Sequence, residues 1–243
     1  MRFDSINQAN SIFEQPWWLE AVAPGQWDAV EIKKDDQVVA RLPYIKQKRM
    51  GFKLLGMPQY TQTLGYWIDD TGAKNARKFA REKELISELI SGLPQKYNID
   101  MDLDHTCDYL FPFKWNGFKL QMAYSYRIED IHDINQLWNG FADNIRREIK
   151  KAQKELTVES NHSIEDLIIM QNKTFERQGR KKSEDSELLK RLDAALTEHI
   201  SVSCSRMQSP RSQQLRFSVS FGTTVTPTIR DISIPTVRTS DLS

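Results

Sequence analysis

Two β-rich runs joined by a pair of aspartates, followed by one strongly amphipathic helical stretch, limit this chain to a sheet covered by helices. The runs are Trp27 to Lys33 and Gln37 to Ile45, and Asp35-Asp36 near their junction predicts a hairpin turn. Phe52 to Leu55 predicts a third strand. Upstream, Pro16 followed by Trp17, Trp18, Leu19, Ala21 and Val22 predicts a short helix with proline in its first turn. Downstream, Ala76, Phe79, Ile86, Leu89, Ile90 and Leu93 recur near helical spacing, and Gly92 and Pro94 punctuate the end. Tyr97 to Asp104 and Gly117 to Ile128 predict two more strands. The expected class is therefore α/β (α+β) with a mixed sheet, rather than an all-α bundle or a sandwich.

From about residue 128 to 199 the pattern turns helical. Asp133 can cap a helix on which Ile134, Leu137, Trp138, Phe141, Ile145, Ile149 and Ala152 form one apolar stripe. Leu156 to Glu159 predicts a short strand. Ser163, with Asp166 three residues on as an imperfect capping box, starts a helix that runs through Phe175 and stops at Gly179. Ser183 or Ser186 starts a third helix that ends near His199. These stripes have no complete sheet to cover them, which predicts a loose or poorly soluble second half.

The character of the chain changes after His199. No Lys or Glu follows, the only acids are Asp231 and Asp241, and all 6 tryptophans lie earlier. Two readings stay open for residues 200–243: a disordered polar tail, or a stretch that is not the evolved continuation of the domain, as a shifted reading frame would produce. The expected organisation is thus 1–127, 128–199 and 200–243.

Composition narrows the function classes. Net charge is +1 in 243 residues, so no global charge calls for nucleic acid or an acidic membrane, and any basic site must be local. The N-terminus carries acids early and lacks the apolar run of a signal peptide. No stretch reaches the roughly 20 apolar residues of a membrane span. The 2 cysteines, Cys107 and Cys204, lie far apart and suit a reduced compartment. A cytoplasmic protein without a transmembrane segment is expected, with visits to a membrane surface left open.

Few motifs carry chemistry. Arg146, Arg147, Lys150, Lys151 and Lys154 form the densest local charge, either a solvated helix face or a contact for phosphate, with the arginines as forks and Lys150 as a point charge. No aromatics interleave them, so general nucleic-acid binding by stacking is not expected. Asp100, Asp102 and Asp104 alternate with apolar residues, which puts three carboxylates on one face of the predicted strand. They form either a half-exposed strand face or the wall of a cleft. An EF-hand is rejected because His105 and Phe111 stand where Gly and Glu are required. His105 and Cys107 alone make a weak metal pair, and no metal is expected. Patterns for a nucleophilic serine or cysteine, a zinc protease or a P-loop are missing. The segment Met57 to Gly65 reads equally as a packed connection or as a cleft-lining loop with Gln59, Tyr60 and Thr61 at its centre. In the aromatic stretch Phe111 to Phe118, Trp115 is the candidate for a cleft wall.

Several patterns occur in an order that resembles the Fem-related acyltransferases, which pair two GNAT-like domains in tandem. They are Phe13-Glu14-Gln15-Pro16-Trp17-Trp18-Leu19, Val39-Ala40-Arg41-Leu42-Pro43-Tyr44, and Met57-Pro58 with Leu64-Gly65. Phe113-Lys114-Trp115-Asn116-Gly117-Phe118, the run Asn144 to Ala152 and Phe175-Glu176-Arg177-Gln178-Gly179 complete the series. The resemblance implies 1–127 as a first GNAT-like domain and 128–199 as the beginning of a second. It implies transfer of an acyl or aminoacyl group onto an amine, from acyl-CoA such as acetyl-CoA or from aminoacyl-tRNA. The acceptor would be a small molecule or a cell-envelope precursor, bound in a cleft walled by Gln59, Tyr60, Thr61, Trp115, Arg146, Arg147 and Lys150. GNAT folds rest the donor pyrophosphate at a helix N-terminus after a Gly-rich turn. Lys74-Asn75-Ala76-Arg77 lacks that glycine spacing, and Gly222 is the one glycine after residue 199. The expectation is a transferase cut short before its donor half; the alternative is a non-catalytic module that kept the acceptor cleft.

Overall fold

The structure is a computed structural model describing residues 5–72, 74–124, 132–160, 163–179, 186–199, 205–208 and 213–216. Helix α1 (Pro16–Val22) carries Pro16 at its start, where the missing N–H has no intrahelical partner to lose. Strands β1 (Trp27–Lys34) and β2 (Gln37–Arg49) pair antiparallel from Trp27 opposite Ile45 to Lys34 opposite Gln37. The turn between them holds Asp35 and Asp36 at φ 50° and 61°, the left-handed region that a two-residue hairpin demands. Strand β3 (Phe52–Gly56) returns along the outer half of β2, with Arg49 opposite Phe52. Strand β4 (Trp67–Ile68) pairs with β2 at Ala40 and Arg41.

Helix α2 (Asn75–Gly92) follows, and the chain re-enters the sheet as β5 (Asn98–Ile99), parallel to β3. The sheet order is β1-β2-β3-β5 with β4 on β2, so it is mixed as expected. Leu85, Ile86, Leu89, Ile90 and Leu93 are buried in one core cluster with Ile32, Ala40, Leu42, Tyr44 and Leu55 of the sheet. Strand β2 is buried continuously from Ala40 to Ile45, as befits a central strand covered on both faces.

Two expected strands are corrected. Residues 97–104 contribute only Asn98–Ile99 and a single bridge from Leu103 to Leu64. Asp100 and Asp102 are exposed whereas Asp104 is buried, so the three carboxylates do not share a face. From 117 to 124 the chain turns and runs without strand pairing after the short α3 (Phe111–Trp115), and 125–128 lie outside the described residues.

The chain divides into two compact units. The first comprises residues to 122 together with 191–199, and the second the residues from 123 to 190 with those after 199. In the second, the single helix expected over 134–155 is two, α4 (Ile134–Gly140) and α5 (Asp143–Glu155). Gly140 weakens helix continuity, Phe141 and Ala142 are extended, and Asp143 suits the positive start of a new helix. Ile134 and Ile145 are exposed and neither helix buries a residue, so the expected stripe is not a packed core. The caps do form: Asp133 accepts from the N–H of Gln136, and Ser163 accepts from that of Asp166 at the head of α6 (Ile164–Arg177). Helix α7 (Ser186–His199) begins at the second of the two expected serines; Ser183 lies outside the described residues. Strand β6 (Thr157–Ser160) pairs with β7 (Ser205–Gln208), which pairs with β8 (Gln213–Arg216). Within 200–243, read as a disordered polar tail or as a stretch foreign to the domain, residues 205–208 and 213–216 form strands; residues 200–204, 209–212 and 217–243 lie outside the described residues.

Candidate functional site

The loop after β3 is tied down at both ends and presents its middle to solvent. At its start, the carbonyl of Met57 accepts from Gln47 Nε2 at 3.1 Å, and Pro58 is buried. At its end, Leu64 N–H donates to Asp102 O and Leu64 O accepts from Asp104 N–H, both at 2.9 Å. Between these anchors Gln59 and Tyr60 are exposed, and Thr61 Oγ1 accepts from the indole Nε1 of Trp18 at 3.0 Å. Tyr60 has φ 57°, a left-handed conformation that few aromatic residues adopt. Backbone held in such a region is concentrated at sites that act on ligands, because the surrounding anchors must impose it.

Beneath the loop lies a buried polar cluster. Glu14, in a 3-10 turn (Ile12–Glu14), is wholly buried, and its carboxylate accepts from Asn10 N–H at 2.7 Å and from Asn10 Nδ2 at 3.2 Å. Asn10 Nδ2 also donates to Tyr66 O at 3.0 Å, tying the N-terminal segment to the end of the loop. Arg41 reaches from the centre of β2 to Glu14 O at 3.0 Å and to Glu31 at 3.5 Å. Asp104 accepts from the hydroxyl groups of Thr63 and Thr106 and from Thr106 N–H. Gly65 sits between them: a methyl group there would lie 2.5 Å from Cys107 Sγ and 3.3 Å from Glu14 Oε1, so the close approach itself requires glycine.

Burial is the main influence on the titration of this cluster. It pushes Glu14 up to about 7; the Asn10 hydrogen bonds and the Arg41 charge oppose the rise, and the Asp104 charge adds to it. Burial also raises the Cys107 thiol well above its ordinary value, aided by Glu14 and Asp104, and lowers Arg41 against the pull of Glu31 and Glu14. Cys107 is therefore an inert core thiol, with Sγ on Tyr66 O at 3.4 Å.

The sequence-derived candidates fall into separate places. Gln59, Tyr60 and Thr61 share the anchored loop. Trp115 lies on the surface of the same unit, where it stacks on Phe111 at 5.8 Å beneath Lys83 Nζ at 5.1 Å. Phe111 continues through Tyr109 to Phe79, so Trp115 ends an aromatic ladder rather than standing alone. Arg146, Arg147 and Lys150 belong to α5 in the second unit. Arg146 is paired with Asp143, Lys150 stands 5.9 Å from the Trp138 ring, and Arg147 projects to solvent.

Trp18, Asn10, Glu14 and Arg41 were absent from the sequence-derived set. One signal could have found two of them: Glu14 and Arg41 are lone charges within apolar runs, Phe13 to Leu19 and Val39 to Tyr44. Among the described residues no group of three potential ligands could hold a metal, and no helix is long and apolar enough to cross a membrane.

No protein-family profile and no curated protein matches this sequence. A solved structure does, described as the crystal structure of FemX, with a TM-score of 0.51 and 18% sequence identity. The likeness covers 85% of this chain and 57% of that one, so the chain spans little more than half of the FemX structure. At that identity the likeness is one of architecture: the fold of this chain is Fem-like.

Proposed function

We propose that this chain serves N-acyl transfer of the GNAT or Fem-related type, passing an acetyl or aminoacyl group to an amine. The observation that carries the reading is the Fem-like fold over 85% of the chain, in company with the ordered motifs from Phe13 to Gly179. The donor, acyl-CoA or aminoacyl-tRNA, is a substrate, and no residue here is assigned to it. Within the first unit, Gln59, Tyr60 and Thr61 are the acceptor contacts, supported by the left-handed Tyr60 held between two anchors. Trp115, exposed but with Phe111 stacked on its ring and Lys83 over it, offers a ring edge to the acceptor. On α5, Arg147 and Lys150 provide charge for a phosphorylated ligand, with Arg146 released from Asp143 to join them. Such transfer relies on positioning the amine against the acyl carbon and on stabilising the oxyanion, so it needs no protein nucleophile.

Calorimetry on the full chain tests the reading with acetyl-CoA, a charged tRNA and a cell-wall or sugar precursor. Binding of one donor and one acceptor is expected. Replacing Arg146, Arg147 and Lys150 together by Ala should weaken the phosphorylated ligand by tenfold or more while leaving the unfolding midpoint in place. Binding of the precursor with neither donor would discard transfer in favour of a non-catalytic module that holds the acceptor.

A further inference from the structure

The two hairpins of the first sheet turn through the same left-handed backbone but fill it with opposite chemistry. At the β1–β2 turn the residues are Asp35 and Asp36, φ 50° and 61°; at the β2–β3 turn they are Met50 and Gly51, φ 50° and 84°. Asp and Gly are residues such turns favour, whereas methionine gains nothing there from the fold. Met50 is nonetheless 92% exposed and Phe52 beside it 68% exposed. Residues 48–53 are all exposed, so the apex stands clear of its own unit.

Behind this apolar apex the hairpin is exclusively cationic. Between Ile45 and Gly56 stand Lys46, Lys48, Arg49 and Lys53 and no acid, in a chain whose net charge is +1. Lys46 is tied to Asp28 at 3.2 Å, and Lys53 lies 5.7 Å from the Tyr97 ring. The register sets Lys48 directly opposite Lys53, and like charges so placed repel. The hairpin thus spends folding energy on a cationic collar that an external anion would relieve.

We propose that this hairpin tip docks on an anionic lipid surface, Met50 and Phe52 entering the headgroup–acyl boundary while Lys48, Arg49 and Lys53 meet the phosphates. The spacing fits. The Lys48–Lys53 pair lies two residues behind the apex, roughly 7 Å at strand rise, and interfacial elements bury their apolar face by about 5–10 Å. A nucleic acid would want the reverse order, cations foremost and flat rings behind them; here Phe52 is the one ring at the tip and methionine leads. The inference is independent of acyl transfer, since none of these residues belongs to the acceptor loop or to α5.

Co-sedimentation of the full chain with phosphatidylcholine vesicles, with and without phosphatidylglycerol, tests it. Binding should require the anionic lipid and weaken with salt. Lys48→Ala with Arg49→Ala should weaken it by about fivefold per cation, and Met50→Ser with Phe52→Ser by about tenfold or more. Met50→Leu with Phe52→Leu should bind like the parent, and unchanged unfolding midpoints should show that every variant is folded. Equal binding to both vesicles, or indifference to the serine pair, overturns the proposal. So does tighter binding to single-stranded RNA than to vesicles with Met50 and Phe52 irrelevant.

Discussion

Glu14 lies out of solvent within reach of the Asp104 charge, and that placement gives stability an unusual slope with pH. Its folded pKa, about 7, stands above the ordinary 4.5. The native state therefore holds its proton more tightly than the unfolded chain. The resulting contribution is complete below pH 4.5 and is lost as pH rises to 7 and beyond, where a bare carboxylate must stay buried. The difference amounts to about 3 kcal/mol. Glu14→Gln should flatten that slope; urea unfolding of parent and variant at pH 5 and pH 8 is the check, and equal slopes would refute the assignment. At this scale the sequence was least informative. Glu14, Arg41 and Asp104 meet only after the N-terminal segment, the central strand and the stretch beyond β5 have packed, and no local spacing announces such a meeting. Thr61 was legible as a loop residue, but its partner Trp18 was not, for the same reason.

Elements were far more legible, because their causes are local. The β-rich composition of the two runs and the Asp35-Asp36 turn between them are enough for β1 and β2, and the apolar spacing of α2 for its buried face. Elements whose limits depend on partners are less legible: β5 is only two residues long, and the stretch 118–124 runs unpaired. The 134–155 helix broke at Gly140 because its stripe has no core to reward continuity. The β1–β2 turn yields a quantitative expectation. Both aspartates sit at positive φ, where glycine carries no side-chain penalty, so Asp36→Gly should raise stability by about 0.5–1 kcal/mol. A thermal unfolding midpoint that fell instead would show that the Asp36 side chain contributes more than its backbone strain removes.

Across the whole molecule, the first unit is not a contiguous stretch of sequence. Residues 191–199 of α7 return to α1: Arg191 Nε donates to Ala21 O at 3.0 Å, and the His199 ring stacks on Trp17 at 4.9 Å. Leu192 and Leu196 of the same segment are buried. An amphipathic stripe shows that a helix will be covered but not by what, and the expected boundary at 127 could not contain this return. Leu196→Ala should therefore destabilise the first unit by about 2–4 kcal/mol despite its distance in sequence. Hydrogen exchange at α1 and β2 reports it directly; protection unchanged there would place Leu196 outside that core.

The return of α7 also sets a timetable for biosynthesis. When β5 and α3 have left the ribosome, the Trp17 face and the Ala21 carbonyl still lack their partners, which lie beyond residues 123–190. At about 5–20 residues per second, that intervening stretch takes roughly 3–14 seconds to make. For that interval the Trp17 ring waits without its His199 stack and the Ala21 carbonyl without its Arg191 donor, until α7 arrives.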